Sequence, residues 1–324
     1  MIDLKPRVLI NVDKINFPAD VAAKLESYAE VFYVSGDFSD LLSEATAIFA
    51  GGDKVNEKYL AKAPHLKVVS RFGVGYDTVD VDACTSGGVY VTHTTDVLSE
   101  AVADLTWALI LGWIRKIPDA DRFTRTEWAK RTRSFPFGWD LRDKKLGIVG
   151  LGRIGTEVVK RGVGFGVKMN YYDIIRMKDK EKRWGVTYVS FEDLLKTSDI
   201  ISLHVPLLPT TRGLMGEKEF KLMKPSALVV NTSRGPVIDQ KAVTEALKTK
   251  RIAGAALDVF EVEPISLDEG LLKMENALVT PHIASATWET RRKMAERCCE
   301  SIIAFLKGER PPFTVPEQEG VNFQ

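Results

Sequence analysis

The sequence predicts an α/β protein of two domains, each built around a largely parallel sheet. Short apolar runs rich in β-branched residues alternate with segments of helical periodicity through the first hundred residues, and the alternation restarts at Lys145. With 324 residues, the chain is also longer than one ordinary hydrophobic core requires. Alternation of this kind is typical of parallel sheets whose faces are covered by helices.

Two series of runs have the composition of buried strands. The first series is 7–12, 31–34, 47–52, 67–73 and 89–94, and the second is 146–150, 169–173, 199–206, 227–233, 254–260 and 277–283. Helical periodicity is clearest in 21–29, 57–63, 239–248 and 286–307. A long helix is predicted over 99–128, kinked or split at Pro118 because proline has no amide hydrogen to donate.

Composition and charge exclude several classes of protein. Lys and Arg total 45 against 44 Asp and Glu, so the chain lacks the positive field that gathers nucleic acid or holds a membrane surface. The longest apolar stretch, 105–114, is too short to span a bilayer, and the N-terminus has no signal-peptide pattern. The three cysteines fit neither a disulfide framework nor a metal motif. We therefore expect a cytoplasmic protein without a metal, whose partners are small molecules or a second copy.

A dinucleotide-binding motif is the most specific local signal. Gly150, Gly152 and Gly155 stand in the order G-x-G-x-x-G, after an apolar strand and at the start of a helical segment. Such glycines permit the tight turn, the close approach of a pyrophosphate and close packing of helix on strand. Asp173 ends the next predicted strand, where a carboxylate accepts hydrogen bonds from the adenosine ribose and repels a 2′-phosphate. We therefore expect NAD rather than NADP, although Arg176 and Lys178, just downstream, would weaken that preference.

Three residues at the ends of later strands match the needs of a 2-oxo acid reductase. Arg234 supplies a fork that binds a carboxylate and a carbonyl oxygen, and His282 has the pKa range of a general acid. Glu263 would favour the imidazolium form of the histidine and orient the ring. Each residue alone has an ordinary structural explanation: a surface ion pair, a charge before Pro264, or a turn histidine. Their occurrence together, after a dinucleotide motif, indicates catalysis.

These ordered motifs, GLGRIG, HVPL, NTSRG, DVFEVEP and PHIASAT, resemble those of the D-isomer-specific 2-hydroxyacid dehydrogenase family over about residues 8–308. The resemblance implies a Rossmann NAD-binding domain, 113–289, inserted into a discontinuous, flavodoxin-like substrate domain, 1–112 and 290–324. It also implies a homodimer and assigns Arg234, Glu263 and His282 to catalysis.

The resemblance further implies which residues contact the ligands. Substrate binding falls to Arg234 and to the backbone amides of Val74 and Gly75 in FGVGYD. Cofactor binding falls to Thr106, Gly150, Gly152, Arg153, Ile154, Gly155, Asp173, His204, Val205, Pro206, Thr211, Thr232, Ser233, Arg234, Asp258, His282 and Ala284. Ala284 departs from the PHIG sequence that many members have, and its methyl group would narrow the pocket near the nicotinamide.

The substrate expected from the resemblance is glyoxylate or hydroxypyruvate. Arg71, a cation beside the FGVGYD segment, would also suit a phosphate or a second carboxylate, which keeps D-3-phosphoglycerate as an alternative. A reductase of bulkier sugar acids is a third reading. An alternative of another class is an NAD-sensing corepressor-like interaction module, although the chain lacks long extensions suited to a scaffold.

The segment 127–139, EWAKRTRSFPFGW, mixes aromatic and basic residues and has no clear strand or helix period. Exposed aromatics are unfavourable in a monomer, whereas aromatics and arginine are enriched at protein interfaces. The family resemblance places this segment in a dimerisation arm. We therefore expect it to be buried in a homodimer.

Overall fold

The computed structural model describes residues 5–12, 17–130 and 133–323. The chain divides into two compact units. The first unit comprises Met1–Leu98 and Ser285–Gln324, and the second comprises Ser99–Ala284. Strands and helices are numbered in chain order through both units.

The first unit is built on a parallel sheet of five strands within the described residues. The strands are β1 (Arg7–Ile10), β2 (Glu30–Tyr33), β3 (Ala45–Ala50), β4 (Val68–Arg71) and β5 (Tyr90–His93). Their spatial order, β2-β1-β3-β4-β5, is the flavodoxin-like order, and every neighbouring pair is parallel. The prediction of a flavodoxin-like sheet is therefore confirmed.

Five helices complete the described part of the first unit. They are α1 (Ala19–Glu26), α2 (Ser39–Leu42), α3 (Glu57–Ala61), α4 (Val81–Ser86) and α12 (Trp288–Leu306). Because α12 comes from the end of the chain, this unit is discontinuous in sequence. Buried Cys298 of α12 faces the carbonyl oxygens of Ser70 and Arg71 at 4.0 and 3.7 Å, which seats the helix on β4.

The second unit is built on a parallel sheet of seven described strands. They are β6 (Lys145–Val149), β7 (Lys168–Tyr172), β8 (Thr187–Tyr188), β9 (Ile200–Leu203), β10 (Leu228–Asn231), β11 (Gly254–Leu257) and β12 (Ala277–Val279). Their order, β12-β11-β10-β9-β6-β7-β8, is the doubly wound order of a Rossmann sheet with one strand added at the edge. This order confirms the predicted nucleotide-binding fold.

Seven helices flank this sheet among the described residues. They are α5 (Ser99–Ile114), α6 (Ile117–Thr126), α7 (Arg153–Phe165), α8 (Lys178–Trp184), α9 (Phe191–Thr197), α10 (Glu217–Leu222) and α11 (Gln240–Lys248). The long helix predicted over 99–128 is split, as Pro118 indicated, but the break precedes the proline: α5 ends at Ile114, and Lys116 adopts φ 55°. Pro118 then occupies the first turn of α6, where its missing N–H has no intrahelical partner to lose.

Helix α5 determines where the second unit begins. Its Trp107 and Ile110 pack with Ile148 of β6 and Val158 of α7 in one buried cluster, and the Trp107 indole donates to the Val158 carbonyl at 2.9 Å. The compact unit therefore starts at Ser99. The domain boundaries expected from the sequence, 112/113 and 289/290, remain predictions.

Two properties of the described residues bear on ligand classes. None of the described helices combines the length and the apolar character needed to cross a membrane. The same residues contain no group of three or more His, Cys, Asp or Glu side chains arranged to hold a metal ion.

Candidate active site

Most predicted site residues of the second unit lie where its strands end. Parallel strands present their carboxyl ends at one edge of the sheet, and ligands of doubly wound sheets bind beyond that edge. Gly150 follows β6, Asp173 follows β7, His204 follows β9, Thr232 follows β10 and Asp258 follows β11. The topology therefore collects these residues at a single edge.

The glycine turn between β6 and α7 has the backbone that its sequence predicts. Gly150 adopts φ 92°, and a Cβ there would lie 2.6 Å from the carbonyl oxygen of His204. A Cβ on Gly155 would collide with the Gly150 carbonyl, so only glycine at this position lets the helix approach the strand closely. At Gly152 no atom lies within 4 Å of the place a Cβ would take, which leaves open space at the N-terminus of α7. Arg153 and Ile154 begin that helix.

This turn fits the pyrophosphate of a dinucleotide. The N-terminal amides of α7 and the positive end of its macrodipole favour an anion, and the open space at Gly152 lets one approach the backbone.

The carboxylate of Asp173 is hydrogen-bonded to the backbone of the glycine turn. Its Oδ2 accepts the amide hydrogen of Leu151 at 2.7 Å, and its Oδ1 accepts that of Ile175 at 3.3 Å. Arg176, which was expected to weaken the preference for NAD, is paired with Glu181 through two contacts of 2.8 and 2.9 Å. Its guanidinium is therefore engaged away from Asp173.

The segment after β9 holds a histidine that stays neutral. The Nε2 of His204 lies 2.8 Å from the hydroxyl of Ser202, and burial lowers the pKa of His204 to about 3. Its Nδ1 is enclosed and has no hydrogen-bond partner within the described ranges. Thr211 closes this loop by accepting from the Leu208 amide at 2.8 Å and donating to the Pro206 carbonyl at 2.5 Å. Val205, between His204 and Pro206, is half-buried.

Two predicted cofactor residues from distant parts of the sequence meet inside the second unit. The hydroxyl oxygens of Thr106, on α5, and Thr232, after β10, are 2.9 Å apart, and both residues are buried. The Thr106 hydroxyl also lies 2.8 Å from the Val102 carbonyl, to which it donates. The contact between Thr106 and Thr232 fixes the loop after β10 against α5.

Asn231, which begins the NTSRG motif but was expected to make no ligand contact, shapes this loop. Its Oδ1 accepts from the amide and hydroxyl of Ser233 at 3.0 and 2.7 Å, while its Nδ2 donates to the Arg234 carbonyl at 2.8 Å. A Cβ on Gly235 would collide with the backbone of Phe260. The signal that could have found Asn231 is its place as the last residue of a buried strand, directly before the loop.

Asp258 organises the loop that carries His282. Its carboxylate is fully buried and accepts from the Thr280 hydroxyl at 2.6 Å and from the amides of Ile283 and Ala284 at 2.9 and 2.8 Å. Its backbone carbonyl accepts the His282 amide at 2.8 Å. His282 itself is held at φ 54°, a left-handed conformation that histidine adopts more readily than most residues.

Glu263 and His282, which the sequence predicts to act together, are in direct contact. The Nδ1 of His282 lies 2.6 Å from Oε2 of Glu263, and since a carboxylate only accepts, Nδ1 carries the proton. Oε1 of Glu263 accepts the Phe260 amide at 3.0 Å. Burial raises the pKa of Glu263, but the His282 hydrogen bond, the Phe260 amide and the nearby charge of Arg234 outweigh it and hold this pKa below its usual range.

Two further polar groups lie at this edge, the imidazole of His282 and the guanidinium of Arg234. The Nε2 of His282 has no hydrogen-bond partner in the described parts of the chain, and the His282 side chain is 45% exposed. Arg234 is half-buried, donates to the Ser233 carbonyl at 2.9 Å and lies close enough to Glu263 to act on its charge. An imidazole and a guanidinium therefore share this edge.

The FGVGYD segment lies in the first unit, after β4, and Arg71 holds it from within. The Arg71 guanidinium donates to the Gly75 carbonyl at 3.1 Å and to the Ala50 carbonyl at 2.9 Å, and also contacts the Gly51 carbonyl. These bonds tie the loop that carries Val74 to the end of β3. Contact between Arg71 and a substrate phosphate remains a prediction, and the observed bonds give Arg71 a role in shaping the loop.

The comparisons with known proteins agree with this geometry. A family described as D-isomer specific 2-hydroxyacid dehydrogenase, NAD binding domain, matches residues 107–284. The chain is 50% identical over 265 residues to a glyoxylate reductase from Thermococcus litoralis, covering 80% of each chain. It is 42% identical over 319 residues to one from Aeropyrum pernix, covering 95% of each. The fold matches an NADPH-dependent glyoxylate/hydroxypyruvate reductase from Sinorhizobium meliloti, in complex with NADP and malonate, with a TM-score of 0.87, 30% identity and 97% coverage of each chain.

The chain belongs to the D-isomer-specific 2-hydroxyacid dehydrogenase family, as its motifs indicated. It is accordingly an oxidoreductase of 2-hydroxy acids that uses a nicotinamide dinucleotide, NAD(P), as its cofactor.

The first prediction concerns His282. Replacing the proton donor should lower kcat for 2-oxo acid reduction by a factor on the order of 10² to 10⁴ and leave cofactor affinity almost unchanged. His282→Ala would also strain the backbone, because alanine is unfavourable at φ 54°. His282→Asn is therefore compared with it: asparagine tolerates this backbone but cannot act as the acid. Steady-state kinetics and a nucleotide titration of both variants test this. Turnover at the wild-type rate in His282→Asn would exclude His282 from the chemistry.

The second prediction concerns the pH dependence of reduction. Because the pKa of Glu263 is held low, the carboxylate stays ionised through the neutral range and favours the protonated histidine ring. Glu263→Gln removes that anion, so the high-pH decline of kcat should move toward lower pH. The measurement is kcat against pH for both proteins. A decline that stays at the same pH, or moves upward, contradicts the pairing.

Proposed function

We propose that this enzyme reduces glyoxylate or hydroxypyruvate with NADH. The observation that carries the proposal is the Glu263–His282 pair, 2.6 Å apart at the same sheet edge as the glycine turn and Arg234. The nicotinamide supplies the hydride when it is bound. His282 donates the proton from Nε2 to the carbonyl oxygen, and Glu263 stabilises the charged ring until it does. The names of the relatives described above support the choice of acid.

Arg234 binds and polarises the substrate in this proposal. A planar guanidinium can hold a carboxylate and a carbonyl oxygen together, a geometry that lysine lacks. The family resemblance implies that the backbone amides of Val74 and Gly75, in the first unit, bind a substrate carboxylate. The Arg71 bond to the Gly75 carbonyl supports this role, because it turns that loop carbonyl inward.

The adenosine side of the site supports NADH over NADPH. Asp173 at the end of β7 places a carboxylate beside the glycine turn, and the neighbouring Arg176 is neutralised by Glu181. A 2′-phosphate would therefore meet a negative charge without a free cation from Arg176 to compensate it.

The third prediction tests substrate and cofactor together. NADH oxidation should be measured with glyoxylate, hydroxypyruvate and 3-phosphohydroxypyruvate, and then repeated with NADPH. We expect the highest kcat/KM for glyoxylate or hydroxypyruvate and a preference for NADH. A higher value for 3-phosphohydroxypyruvate would make this a D-3-phosphoglycerate dehydrogenase, and a preference for NADPH would contradict the role of Asp173. Asp173→Ser should reduce the NADH preference.

We also propose that the enzyme is a cytoplasmic homodimer. Ile117, Trp128 and Phe137 are 58, 65 and 96% exposed, although all three are large apolar residues. Phe135, by contrast, packs on Phe123 with ring centroids 5.4 Å apart. Residues 131–132, within the basic part of the arm, lie outside the described residues. The exposed aromatics support burial by a second copy. Three buried free cysteines suit a reducing compartment.

The fourth prediction tests the dimer. Light scattering should give the mass of a dimer for the wild type and that of a monomer for a Trp128→Asp, Phe137→Asp variant, because charges desolvated at an apolar interface oppose association. Leu267→Asp is the matched control: Leu267 is 87% exposed but lies outside the arm, so its variant should stay dimeric. The proposal fails if the wild type is monomeric or the double variant stays dimeric.

A further inference from the structure

Three successive carbonyl oxygens in the FGVGYD segment of the first unit are each held by a hydrogen-bond donor. The outer two belong to Gly73, which accepts the Thr94 amide at 3.0 Å, and to Gly75, which accepts from Nε of Arg71 at 3.1 Å. Arg71 is the last residue of β4, and Thr94 directly follows β5. Because β4 and β5 are neighbours in the sheet, both carbonyls point toward the same part of its edge.

The middle carbonyl, that of Val74, is held by a side chain. It lies 2.9 Å from Nδ1 of His93, the last residue of β5. Because a carbonyl oxygen only accepts, Nδ1 of His93 carries the proton in this contact. His93 pairs with Arg71 in the register of β4 and β5. The donors to all three carbonyls therefore form one cluster at the ends of these two strands.

Holding the carbonyls also sets the direction of the backbone amides that follow them. In a trans peptide the C=O of one residue and the N–H of the next point in opposite directions. The amides of Val74, Gly75 and Tyr76 are therefore directed away from the donor cluster. Within the described ranges, none of these three amides donates a hydrogen bond. Successive amides turned to one side make a concavity that suits an anion.

The ring of His93 is itself held in place. The Tyr76 ring meets it edge-on, with ring centroids 5.3 Å apart, and the backbone amide of His93 donates to the Phe313 carbonyl at 3.0 Å. The Tyr76 hydroxyl lies 3.1 and 3.2 Å from the two carboxylate oxygens of Glu317. Phe313 and Glu317 both follow α12. The end of the chain therefore supports the side chain that holds the Val74 carbonyl.

We propose that His93 is a positioning residue for the substrate carboxylate: by holding the Val74 carbonyl, it directs the Gly75 amide toward the anion. His93 does not touch the substrate but acts through the peptide bond between residues 74 and 75. The inference rests on the proposed function, in which the amides of this loop bind the carboxylate, and it names the side chain that sets their direction. Without this donor the peptide is free to turn, so substrate binding weakens while proton transfer from His282 is unaffected.

His93 is the donor of this cluster that a substitution removes most cleanly. Thr94 donates through its backbone, which a change of side chain does not remove. The Arg71 guanidinium also contacts the Ala50 and Gly51 carbonyls, so its loss would disturb the end of β3 as well. The side chain of His93, by contrast, makes one hydrogen bond to the described residues.

The kinetic test compares two substitutions of His93. His93→Leu removes the donor, whereas His93→Asn keeps one, because Nδ2 of asparagine is as many bonds from the backbone as Nδ1 of histidine. In His93→Leu, KM for the 2-oxo acid that the wild type reduces best should rise about threefold to tenfold, with kcat and KM for NADH almost unchanged. His93→Asn should restore most of the wild-type KM. His65 is an exposed histidine of the same unit, so His65→Leu is the matched control and should change neither constant.

A role in stability alone would give another pattern. It would lower kcat together with the melting temperature, and asparagine would not restore the KM. If His93→Leu fails to fold, His93→Gln takes its place, because it moves the amide donor one bond further out and should also raise KM. An unchanged KM in the variant that lacks the aligned donor, or an equal rise in His93→Asn, overturns the proposal.

A binding test separates this inference from the proposed function. Oxalate is a two-carbon dicarboxylate that the enzyme cannot reduce by hydride transfer to a ketone or aldehyde. Calorimetric titration of the NAD⁺-saturated enzyme with oxalate should give a Kd that rises in His93→Leu and stays near the wild-type value in His93→Asn and His65→Leu. This pattern supports the role of His93 even if glyoxylate and hydroxypyruvate prove not to be the substrates. A wild type that does not bind oxalate, or equal Kd values for the wild type and His93→Leu, contradicts that role.

Discussion

The catalytic edge of the second unit depends on one buried carboxylate, that of Asp258. Enclosing a carboxylate completely is unfavourable unless its oxygens are hydrogen-bonded, and Asp258 receives a hydroxyl and two amide hydrogens from residues 280–284. Because these donors come from a loop more than twenty residues further along, the carboxylate joins the end of β11 to the segment after β12. That connection is what holds His282 in its left-handed conformation.

The chemistry follows from this connection. With the backbone of His282 fixed, its Nδ1 faces Glu263 and its Nε2 is left for the substrate. Glu263 is itself fixed by the Phe260 amide, and Gly235 packs against the Phe260 backbone. The strand ends after β10, β11 and β12 are therefore one hydrogen-bonded assembly. This assembly supports the proposed acid His282, its anionic partner Glu263 and the proposed substrate-binding arginine, Arg234.

Sequence reasoning predicted the elements better than the connections between them. The apolar runs identified both sheets, apart from the two-residue strand Thr187–Tyr188, and the glycine spacing identified the turn after β6. Local patterns gave no sign that Asp258 binds the loop 280–284, or that Arg71 binds backbone carbonyls. Those roles depend on which distant segments the fold brings together. Predicted strands such as 199–206 were also too long, since their ends form the loops of the site.

The most direct test of this account is a double-mutant cycle on kcat for 2-oxo acid reduction, combining Asp258→Asn with His282→Asn. An asparagine at 258 presents donors toward the Ala284 amide, so the single variant should release the loop and lower kcat at least tenfold. If Asp258 acts by positioning His282, Asp258→Asn should have almost no further effect once His282 is replaced. An undiminished loss in the His282→Asn background would show that Asp258 acts independently of His282, which contradicts the account.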